Sequence, residues 1–569
     1  MDSMAPSRRI ASTGGPVRDP IGAWPLSVPC AGGSEPEPAG LNRWIWCFMA
    51  LGIAARLVRY ALNFPLGSDE SYLACNLIDK GFADLTGPLN YEQVCPLLFL
   101  WGQLASVKWL GFSEYSLRLL PLTFGIGSVF LFRHVAGRLL RGTALVLAVG
   151  VFAAGYPGIR YSVEDKPYGA DLFVALALLG LTVEWLRAPG RRGWLWGLAA
   201  LLPLGIGLSY TAVFVAGGIS LALAYDIWTR RLRAAWPVWV VYNLVLLESF
   251  LAFFALSTAN QCSGCLTAMR LFWHDAFPPW DGPVRFAAWL VSAHSGVLLG
   301  HPFGGPHGGS TLTFMACLGA VAVLWRRRQP TLLLALLSPL ALNFVAAAMQ
   351  RYPYGGHVRL AMYFAPACCL LTGLGAAAGL AWLSSRRAIR PRWATLAFAL
   401  VPILPIGSAV RDICRPYRAY EDVWTREFAR SFWPAEEARS EVACLKGDLG
   451  LDFSPANFQM RFSAIYRCNQ RIYSPRHVEG QPVDWQRISA DWPLCCVEYK
   501  STIFPYERQA SAAWLQKMGR RYQLVDRRTL PMYVGKTSGE HDLDYVEIYR
   551  FVPRSELADR GGPDHREVR

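Results

Sequence analysis

The sequence predicts an all-α membrane domain that crosses the bilayer about eleven times, followed by a water-exposed C-terminal α/β domain. Hydrophobic residues make up 53% of the 569-residue chain and charged residues only 17%, against about 25% charged residues in soluble domains. Apolar runs of roughly 17–25 residues, the length that a hydrocarbon core of ~30 Å demands, recur from Arg43 to about Arg411. After Asp412 charged residues become frequent and no long apolar run follows.

The first segment, residues 1–42, is predicted to be a disordered cytoplasmic tail. It is rich in Gly, Pro, Ala and Ser and has no periodic apolar pattern. It also lacks a short apolar core followed by a small-residue cleavage site, so the first span is expected to be an uncleaved anchor.

The predicted membrane domain occupies residues 43–411. Its eleven predicted spans are residues 43–64, 116–136, 143–160, 168–186, 193–208, 211–228, 235–256, 310–325, 331–349, 359–383 and 393–411. An odd number of spans, with the N-terminus in the cytoplasm, places residues 412–569 outside.

Arginine clusters between the spans support this topology, because basic residues are retained in short cytoplasmic loops. With the N-terminus inside, all of them are cytoplasmic: Arg133/Arg138/Arg141, Arg187/Arg191/Arg192, Arg230/Arg231/Arg233, Arg326/Arg327/Arg328 and Arg386/Arg387/Arg390/Arg392. The net charge of +15 therefore reflects topology and does not indicate a nucleic-acid partner.

Two further apolar stretches, residues 95–111 and 284–299, are short or interrupted by Lys, Arg and His. Counting both as spans would move the intervening Arg clusters outside. We therefore expect amphipathic helices on the outer membrane surface, within two long outer loops at residues 65–115 and 257–309. Shorter outer loops are expected near residues 161–167 and 350–358.

The tail, residues 412–569, is predicted to be a small extracytoplasmic α/β domain. Its predicted strands are Glu441–Lys446, Cys495–Tyr499, Tyr522–Val525 and Tyr545–Phe551, with helices near 420–432 and 508–518.

Nine of the 14 cysteines fall on the predicted outer side. Some could pair in an oxidising compartment, for example Cys75 with Cys95 or Cys444 with Cys468, but spacing does not set connectivity. Cys262 and Cys265 have metal or redox spacing without a second pair to complete a zinc site. A local disulfide or two plain thiols is the favoured interpretation there.

Ionisable residues of the membrane domain gather in three predicted outer segments. They are Asp69 and Glu70 after the first span, Glu164, Asp165 and Lys166 between the third and fourth, and Arg351, His357 and Arg359 between the ninth and tenth. Any one alone is explained as a solvated loop charge. Together, at one membrane face where charges are costly, they indicate a functional site.

Five short motifs resemble the outer loops of GT-C glycosyltransferases. They are GSDESYLA at 67–74, PLLFL at 96–100, GFSEYSLR at 111–118, YSVEDKPY at 161–168 and RYPYGGHVR at 351–359. The resemblance covers residues 43–411. It is closest to the branch of protein O-mannosyltransferases, the lipid A aminoarabinose transferase and rhizobial lipopolysaccharide transferases.

The resemblance implies a transferase that moves a sugar from a polyprenyl-phosphate donor to a hydroxyl, with inversion, on the outer face of a bacterial-type plasma membrane. The acceptor class, whether glycan, lipid or protein, stays open. The resemblance implies Asp69 as the base, Glu70 as its neighbour or helper, and Glu164 or Asp165 as the second-loop acid. A carboxylate suits this role, since a sugar hydroxyl is a poor nucleophile until its proton is accepted.

The leaving group is a phosphate, a weak base that requires no general acid. Cationic side chains stabilise the charge that builds on it. The donor-binding residues expected here are Lys166, Tyr168, Arg351, His357 and Arg359.

No cofactor is firmly predicted. Asp69, Glu70 and Glu164 could supply oxygen ligands to Mg²⁺ or Mn²⁺, but they lack a fixed metal-binding spacing, so no metal site is assigned.

Charged residues inside the spans leave alternatives open. Arg56 and Arg59 could snorkel to the headgroups or contact the carrier phosphate. Glu248 could be protonated and hydrogen-bonded to another helix, or could bind donor.

The alternative function is a transporter or flippase of lipid-linked glycans. Transporters carry charged or broken segments near the bilayer midplane, and internal repeats, whereas the charges here gather at one surface. A binding module built around residues 412–569 would leave ten spans without a purpose.

Overall fold

The computed structural model describes residues 40–303, 305–385, 400–417, 420–437, 442–445, 457–473, 494–500, 512, 515–516, 518–532 and 544–555. Residues 1–39 of the predicted cytoplasmic tail therefore lie outside the described residues. So does the first part of the eleventh predicted span, residues 393–399.

Helices dominate the described membrane part. They are α1 (Leu41–Ala61), α2 (Ser68–Ala74), α3 (Asn76–Asp79), α4 (Leu97–Leu110), α5 (Glu114–Leu139), α6 (Gly142–Ala154), α7 (Tyr156–Arg160), α8 (Tyr168–Arg187), α9 (Gly193–Leu208), α10 (Ala212–Thr229), α11 (Trp236–Phe253), α12 (Ala259–Phe272), α13 (Pro283–Ser295), α14 (Gly309–Arg326), α15 (Pro330–Ala348), α16 (Ala365–Ser385) and α17 (Ile403–Cys414). Shorter 3-10 or π-helical segments lie at Asp84–Thr86, Asn90–Glu92, Tyr161–Val163, Arg233–Ala235, Phe254–Thr258, His274–Ala276 and Val358–Phe364.

Within the described residues, eight helical stretches are long and apolar enough to cross a membrane. A ninth span results if Gly142–Ala154 and Tyr156–Val163, bent by 48° at their junction, are counted together. The chain is thus an integral membrane protein, as predicted. The number eleven is not confirmed, because α9 has only 16 residues and the last predicted span is described only from residue 400.

The two predicted surface segments are helices, α4 with 14 residues and α13 with 13. At 1.5 Å per residue they are about 20 Å long, shorter than a ~30 Å hydrocarbon core. Their position on the outer membrane surface remains a prediction.

Small residues let the central helices approach closely. A Cβ atom on Gly373 of α16 would lie 2.5 Å from the Cβ of Ala148 in α6. A Cβ on Gly375 would lie 1.8 Å from the carbonyl oxygen of Ala316 in α14. Gly at these positions permits backbone contact between helices. The contact fixes α16 and the Val358–Phe364 segment that leads into it.

Helices α5 and α8 run side by side in the same direction. At their C-terminal ends Arg138 pairs with Glu184 at 2.6 Å. Nearer their N-terminal ends, a Cβ on Gly169 of α8 would lie 3.1 Å from the Pro121 carbonyl oxygen of α5, and Gly125 of α5 lies against Ser162 in the loop that precedes α8. The 26 residues of α5 extend about 39 Å. The arginine cluster that contains Arg138 and the second outer loop, residues 161–167, therefore lie at opposite ends of the bundle.

The tail is an α/β unit, as predicted. Helices α18 (Tyr420–Glu437) and α19 (Asn457–Tyr473) accompany strands β1 (Val442–Leu445), β2 (Leu494–Lys500), β3 (Tyr522–Met532) and β4 (Asp544–Pro553). The sheet order is β1-β2-β4-β3, with β1 and β2 parallel and the other neighbours antiparallel. Of the predicted helix at 508–518, the structure describes only residues 512, 515, 516 and 518, all helical. The α19 helix was not predicted.

The tail packs against the bundle end that carries the first outer loop. Arg467 of α19 forms an ion pair with Asp79, and the Tyr473 hydroxyl donates to Glu114 Oε1 at 2.8 Å. Arg426 of α18 donates to the Asn63 carbonyl at 2.5 Å. The tail and the first outer loop therefore lie on the same side of the bundle.

Candidate active site

The two acids of α2 have different surroundings, because neighbouring residues of a helix point about 100° apart. The Asp69 side chain is 37% exposed, whereas that of Glu70 is 2% exposed. One carboxylate therefore faces the open end of the bundle, and the other faces the interior.

Glu70 is held by donors from three segments. Arg118 of α5 donates to both of its carboxylate oxygens at 2.8 Å. The backbone N–H groups of Asp165 and Gly67 donate to it at 3.1 Å and 3.3 Å. Saturated in this way, Glu70 ties α2 to α5 and to the second outer loop. This geometry supports a positioning role for Glu70 rather than proton transfer.

Glu70→Gln is expected to destabilise the protein by about 3–5 kcal/mol, because it leaves the buried Arg118 guanidinium without its counter-charge. Thermal unfolding in detergent micelles measures the effect. Asp281→Asn is the control, since it removes an ion pair with Arg285 whose side chains are more than half exposed. Equal unfolding temperatures for Glu70→Gln and wild type would refute the assignment.

Asp165 is fully buried beside Glu70. Its Oδ1 accepts a hydrogen bond from Gln103 Nε2, and among the described residues its Oδ2 has no partner. Gln103 also donates to the Leu117 carbonyl at 2.6 Å, which is free because Pro121 has no N–H to offer it. Burial, and then the charge of Glu70, raise the pKa of Asp165 to about 7.

Asp165→Asn is expected to flatten the pH dependence of stability. The unfolded Asp pKa is about 3.9 and the folded pKa about 7, so the folded state binds more protons between these values. Wild-type stability then falls as pH rises through that window. The free energy of unfolding of the variant relative to that of wild type should rise between pH 5 and pH 8, by on the order of 2 kcal/mol. A constant difference across this range would contradict the assignment.

Asp69 meets Arg359, which comes from the last predicted outer loop and donates from Nη1 to Asp69 Oδ2. The Arg359 guanidinium lies 5.6 Å from the Trp273 ring centroid and 5.9 Å from that of Tyr168. Aromatic faces on a guanidinium contribute about 0.5–2 kcal/mol and hold its orientation. Asp69, Tyr168, Trp273 and Arg359 thus form the centre of the candidate site.

Lys166 joins this cluster from the second outer loop. Its Nζ donates to Gln93 Oε1 at 2.6 Å. Burial lowers the pKa of Lys166, and the negative charge of Asp69 opposes that shift. A second cation thus lies within electrostatic range of the Asp69–Arg359 pair.

His357 contributes a neutral imidazole. Its Nδ1 lies 3.4 Å from the Tyr161 hydroxyl and accepts from the Arg359 backbone N–H at 3.3 Å. Burial, then the positive charges of Arg359 and Arg160, lower the pKa of His357 to about 4. The ring is therefore uncharged near pH 7, with Nε2–H as its donor.

Two predicted site residues lie away from this centre. Glu164 pairs with Arg160 at 2.9 Å and its side chain is 4% exposed. Arg351 is exposed and makes no ion pair among the described residues. The structure thus brings Asp69, Lys166, Tyr168, His357 and Arg359 together and leaves Glu164 and Arg351 outside.

The three carboxylates considered as metal ligands each have their own arginine. Asp69 pairs with Arg359, Glu70 with Arg118 and Glu164 with Arg160. In the part of the chain that the structure describes, no three His, Cys, Asp or Glu side chains converge as metal ligands.

Sequence reasoning missed Arg118, Gln103, Gln93 and Trp273. Arg118 carried a usable signal, because a charged residue within an otherwise apolar span tends to be functional or paired. Gln93, Gln103 and Trp273 carried none, since loop amides and aromatic residues are common in membrane proteins.

The snorkelling interpretation of Arg56 and Arg59 is wrong. Arg59 pairs with Asp412 at 2.7 Å, both side chains being 3% exposed. Arg56 is fully buried and donates to the carbonyls of Gly52 and Ala153. Both guanidinium groups point into the bundle, where burial without a partner is costly.

Glu248 does not match the first of its two expected roles. It is exposed on α11, and no described helix supplies the interhelical hydrogen bond that was expected for it.

Comparison with solved structures identifies the fold. ArnT from Cupriavidus metallidurans, a lipid A aminoarabinose transferase, matches in its apo state with a TM-score of 0.52 and 13% identity. The structure of ArnT bound to undecaprenyl phosphate matches with a TM-score of 0.50 and 14% sequence identity. Both alignments cover 92% of this chain and 100% of ArnT.

A weaker likeness links the chain to the oligosaccharyltransferase AglB from Archaeoglobus fulgidus. Its TM-score is 0.43 at 12% identity, over 75% of this chain and 64% of AglB. No family model matches the chain, and no curated protein matches it significantly. The fold assignment rests on the two ArnT structures: the chain has the GT-C membrane fold that its sequence motifs predicted.

Proposed function

We propose that the chain is an integral membrane glycosyltransferase that transfers a sugar from a polyprenyl-phosphate donor to a hydroxyl acceptor. Asp69 accepts the proton of the attacking hydroxyl, and the sugar is transferred with inversion. The carrying observation is the partly exposed Asp69 carboxylate, held against Arg359 with Lys166 beside it.

The donor phosphate binds where the cations are. Arg359 presents a planar fork suited to two phosphate oxygens, and Lys166 adds a point charge. The neutral His357 donates one hydrogen bond from Nε2. Together these groups stabilise the charge that develops on the leaving phosphate.

Donor binding also frees the base. Arg359 is the ion-pair partner of Asp69 in the structure, and the negatively charged phosphodiester of the donor competes for the same guanidinium. Once Arg359 turns towards the phosphate, Asp69 has a lone pair available for the acceptor hydroxyl. The site is thereby inactive until the donor is present.

The fold supports a lipid-linked donor. A neighbour of the same fold, ArnT, has been solved with undecaprenyl phosphate bound. The site also lies at the bundle end opposite the Arg138–Glu184 pair, and basic clusters of this kind are retained in the cytoplasm. We therefore place the site and the tail on the extracytoplasmic side.

The test uses purified protein in liposomes with a panel of polyprenyl-phosphate sugars and hydroxyl acceptors. Acceptor-dependent release of free polyprenyl phosphate, with the sugar recovered on the acceptor, is the expected result. Lipid-linked sugar that crosses the bilayer without any transfer would overturn the proposal in favour of a flippase.

A further inference from the structure

Two buried cysteines meet where the tail packs on the first outer loop. Cys75, directly after α2, and Cys468 of α19 are both fully buried, and their Sγ atoms are 3.6 Å apart. Each thiol also lies near a backbone carbonyl of the other segment, Cys75 Sγ 3.4 Å from Ala464 O and Cys468 Sγ 3.6 Å from Ser71 O. The pair therefore bridges two segments that are 393 residues apart in sequence.

The residues packed around Cys75 and Cys468 hold the two thiols next to each other. Cys75, Cys468 and Ala464 belong to one apolar cluster with Leu73 and Leu77 of the first outer loop. The ion pair between Arg467 and Asp79 lies beside it. Neither sequence-based pairing, Cys75 with Cys95 or Cys444 with Cys468, predicted this contact.

The separation is close to that of a bonded pair. Disulfide sulfurs lie about 2.05 Å apart, so these two need to approach by about 1.5 Å.

We propose that Cys75 and Cys468 form a disulfide that joins the tail to the helix carrying Asp69. The inference rests on the extracytoplasmic placement in the proposed function, since disulfides persist in oxidising compartments.

The bond forms by exchange with an oxidised dithiol oxidoreductase of that compartment. A thiolate of the chain attacks the disulfide of the oxidoreductase, and the second thiolate then resolves the mixed disulfide. One S–S bond forms in the chain and one breaks in the oxidoreductase. The oxidoreductase leaves with two electrons and two protons, as a dithiol.

The thiol–disulfide exchange takes place during folding, before the two thiols are buried. Burial raises the pKa of the Cys468 thiol well above its ordinary value, and only thiolates are reactive. Docking of α19 on α2 then encloses the bond. Once formed, it keeps Asp69 near the tail by holding the C-terminal end of α2.

The thiol state is measured on the full-length protein isolated from cells that export the tail. Acid quenching, labelling with N-ethylmaleimide and digestion without reductant precede mass spectrometry. The expected product is one linked peptide pair containing Cys75 and Cys468, two hydrogens lighter than the sum of the separate peptides. Cys317 and Cys368, buried within the spans, are the internal control and should carry the label. Labelled Cys75 and Cys468 would overturn the proposal.

A second measurement takes its deciding result from the wild type alone. Dithiothreitol should lower the thermal unfolding temperature of the wild type to that of Cys75→Ser, and leave Cys75→Ser and Cys468→Ser unchanged. An unfolding temperature that dithiothreitol does not alter in the wild type would refute the bond.

The two proposals fail separately. A linked peptide in a protein that transfers no sugar would leave the disulfide standing and remove the enzyme assignment. Sugar transfer by a protein whose Cys75 and Cys468 are both labelled would support the enzyme assignment and remove the disulfide.

Discussion

Asp69→Asn is expected to lower the rate of sugar transfer by about 10²–10⁴-fold, the range that a positioned general base contributes. The amide keeps the shape of the carboxylate but cannot accept a proton from the hydroxyl. The initial rate of polyprenyl phosphate release at saturating donor measures the effect. Because Asp69 is 37% exposed, the variant should unfold close to the wild-type temperature.

Asp275→Asn provides the matched control. Its side chain is 93% exposed and pairs with the neighbouring, exposed His274, in the predicted second long outer loop. It should retain the wild-type rate. An Asp69→Asn protein that is folded and keeps more than about a tenth of the wild-type rate would remove Asp69 as the base.

Arg359→Gln is expected to lower kcat by about 10²–10³-fold, because a preorganised donor to the developing charge is lost. The donor KM should rise as well, since the same guanidinium binds the phosphate in the ground state. Arg359→Lys should recover only part of the loss. An ammonium has no planar fork for two oxygens and does not stack between Trp273 and Tyr168.

Arg351→Gln tests whether phosphate binding depends on Arg359 itself or on any positive charge in the same loop. Arg351 comes from the same loop as Arg359 but is exposed. Full kinetics of the two variants should therefore differ, with Arg351→Gln close to wild type in kcat and KM. Equal losses from both would mean that the loop, not the placed guanidinium, carries the effect.

The membrane fold was predictable because one physical rule dominates it. A hydrocarbon core requires long apolar helices, and helices such as α8 and α10 begin and end within a residue or two of the predicted spans. The bend between α6 and α7 was not predicted. Gly155 has an extended ψ of 116° at the break, and Pro157 follows it without an N–H for a continuous helix.

The candidate site was predictable where charge was conspicuous. Asp69, Lys166 and Arg359 are ionisable groups at the ends of apolar spans, and the structure brings them together. What could not be predicted was which acid stays accessible. The accessibility of each acid depends on Arg118 and Gln103, which donate hydrogen bonds to Glu70 and Asp165 respectively. Only the packing of the helices brings these pairs together.

The tail illustrates the other limit. Its strands follow local β-forming runs, and all four were predicted in roughly the right places. The docking of α19 on α2 depends on contacts between residues far apart in sequence, such as Arg467 with Asp79, 388 residues apart, and Cys468 with Cys75, 393 residues apart. No local pattern encodes them.

The central claim is that a donor phosphate takes Arg359 from Asp69 and leaves that carboxylate free. A cryo-electron microscopy structure of the protein with polyprenyl phosphate tests it directly. The phosphate oxygens should lie within hydrogen-bond distance of Arg359 and Lys166, with Asp69 no longer paired to Arg359. A phosphate bound elsewhere, with the Asp69–Arg359 pair intact, would contradict the claim.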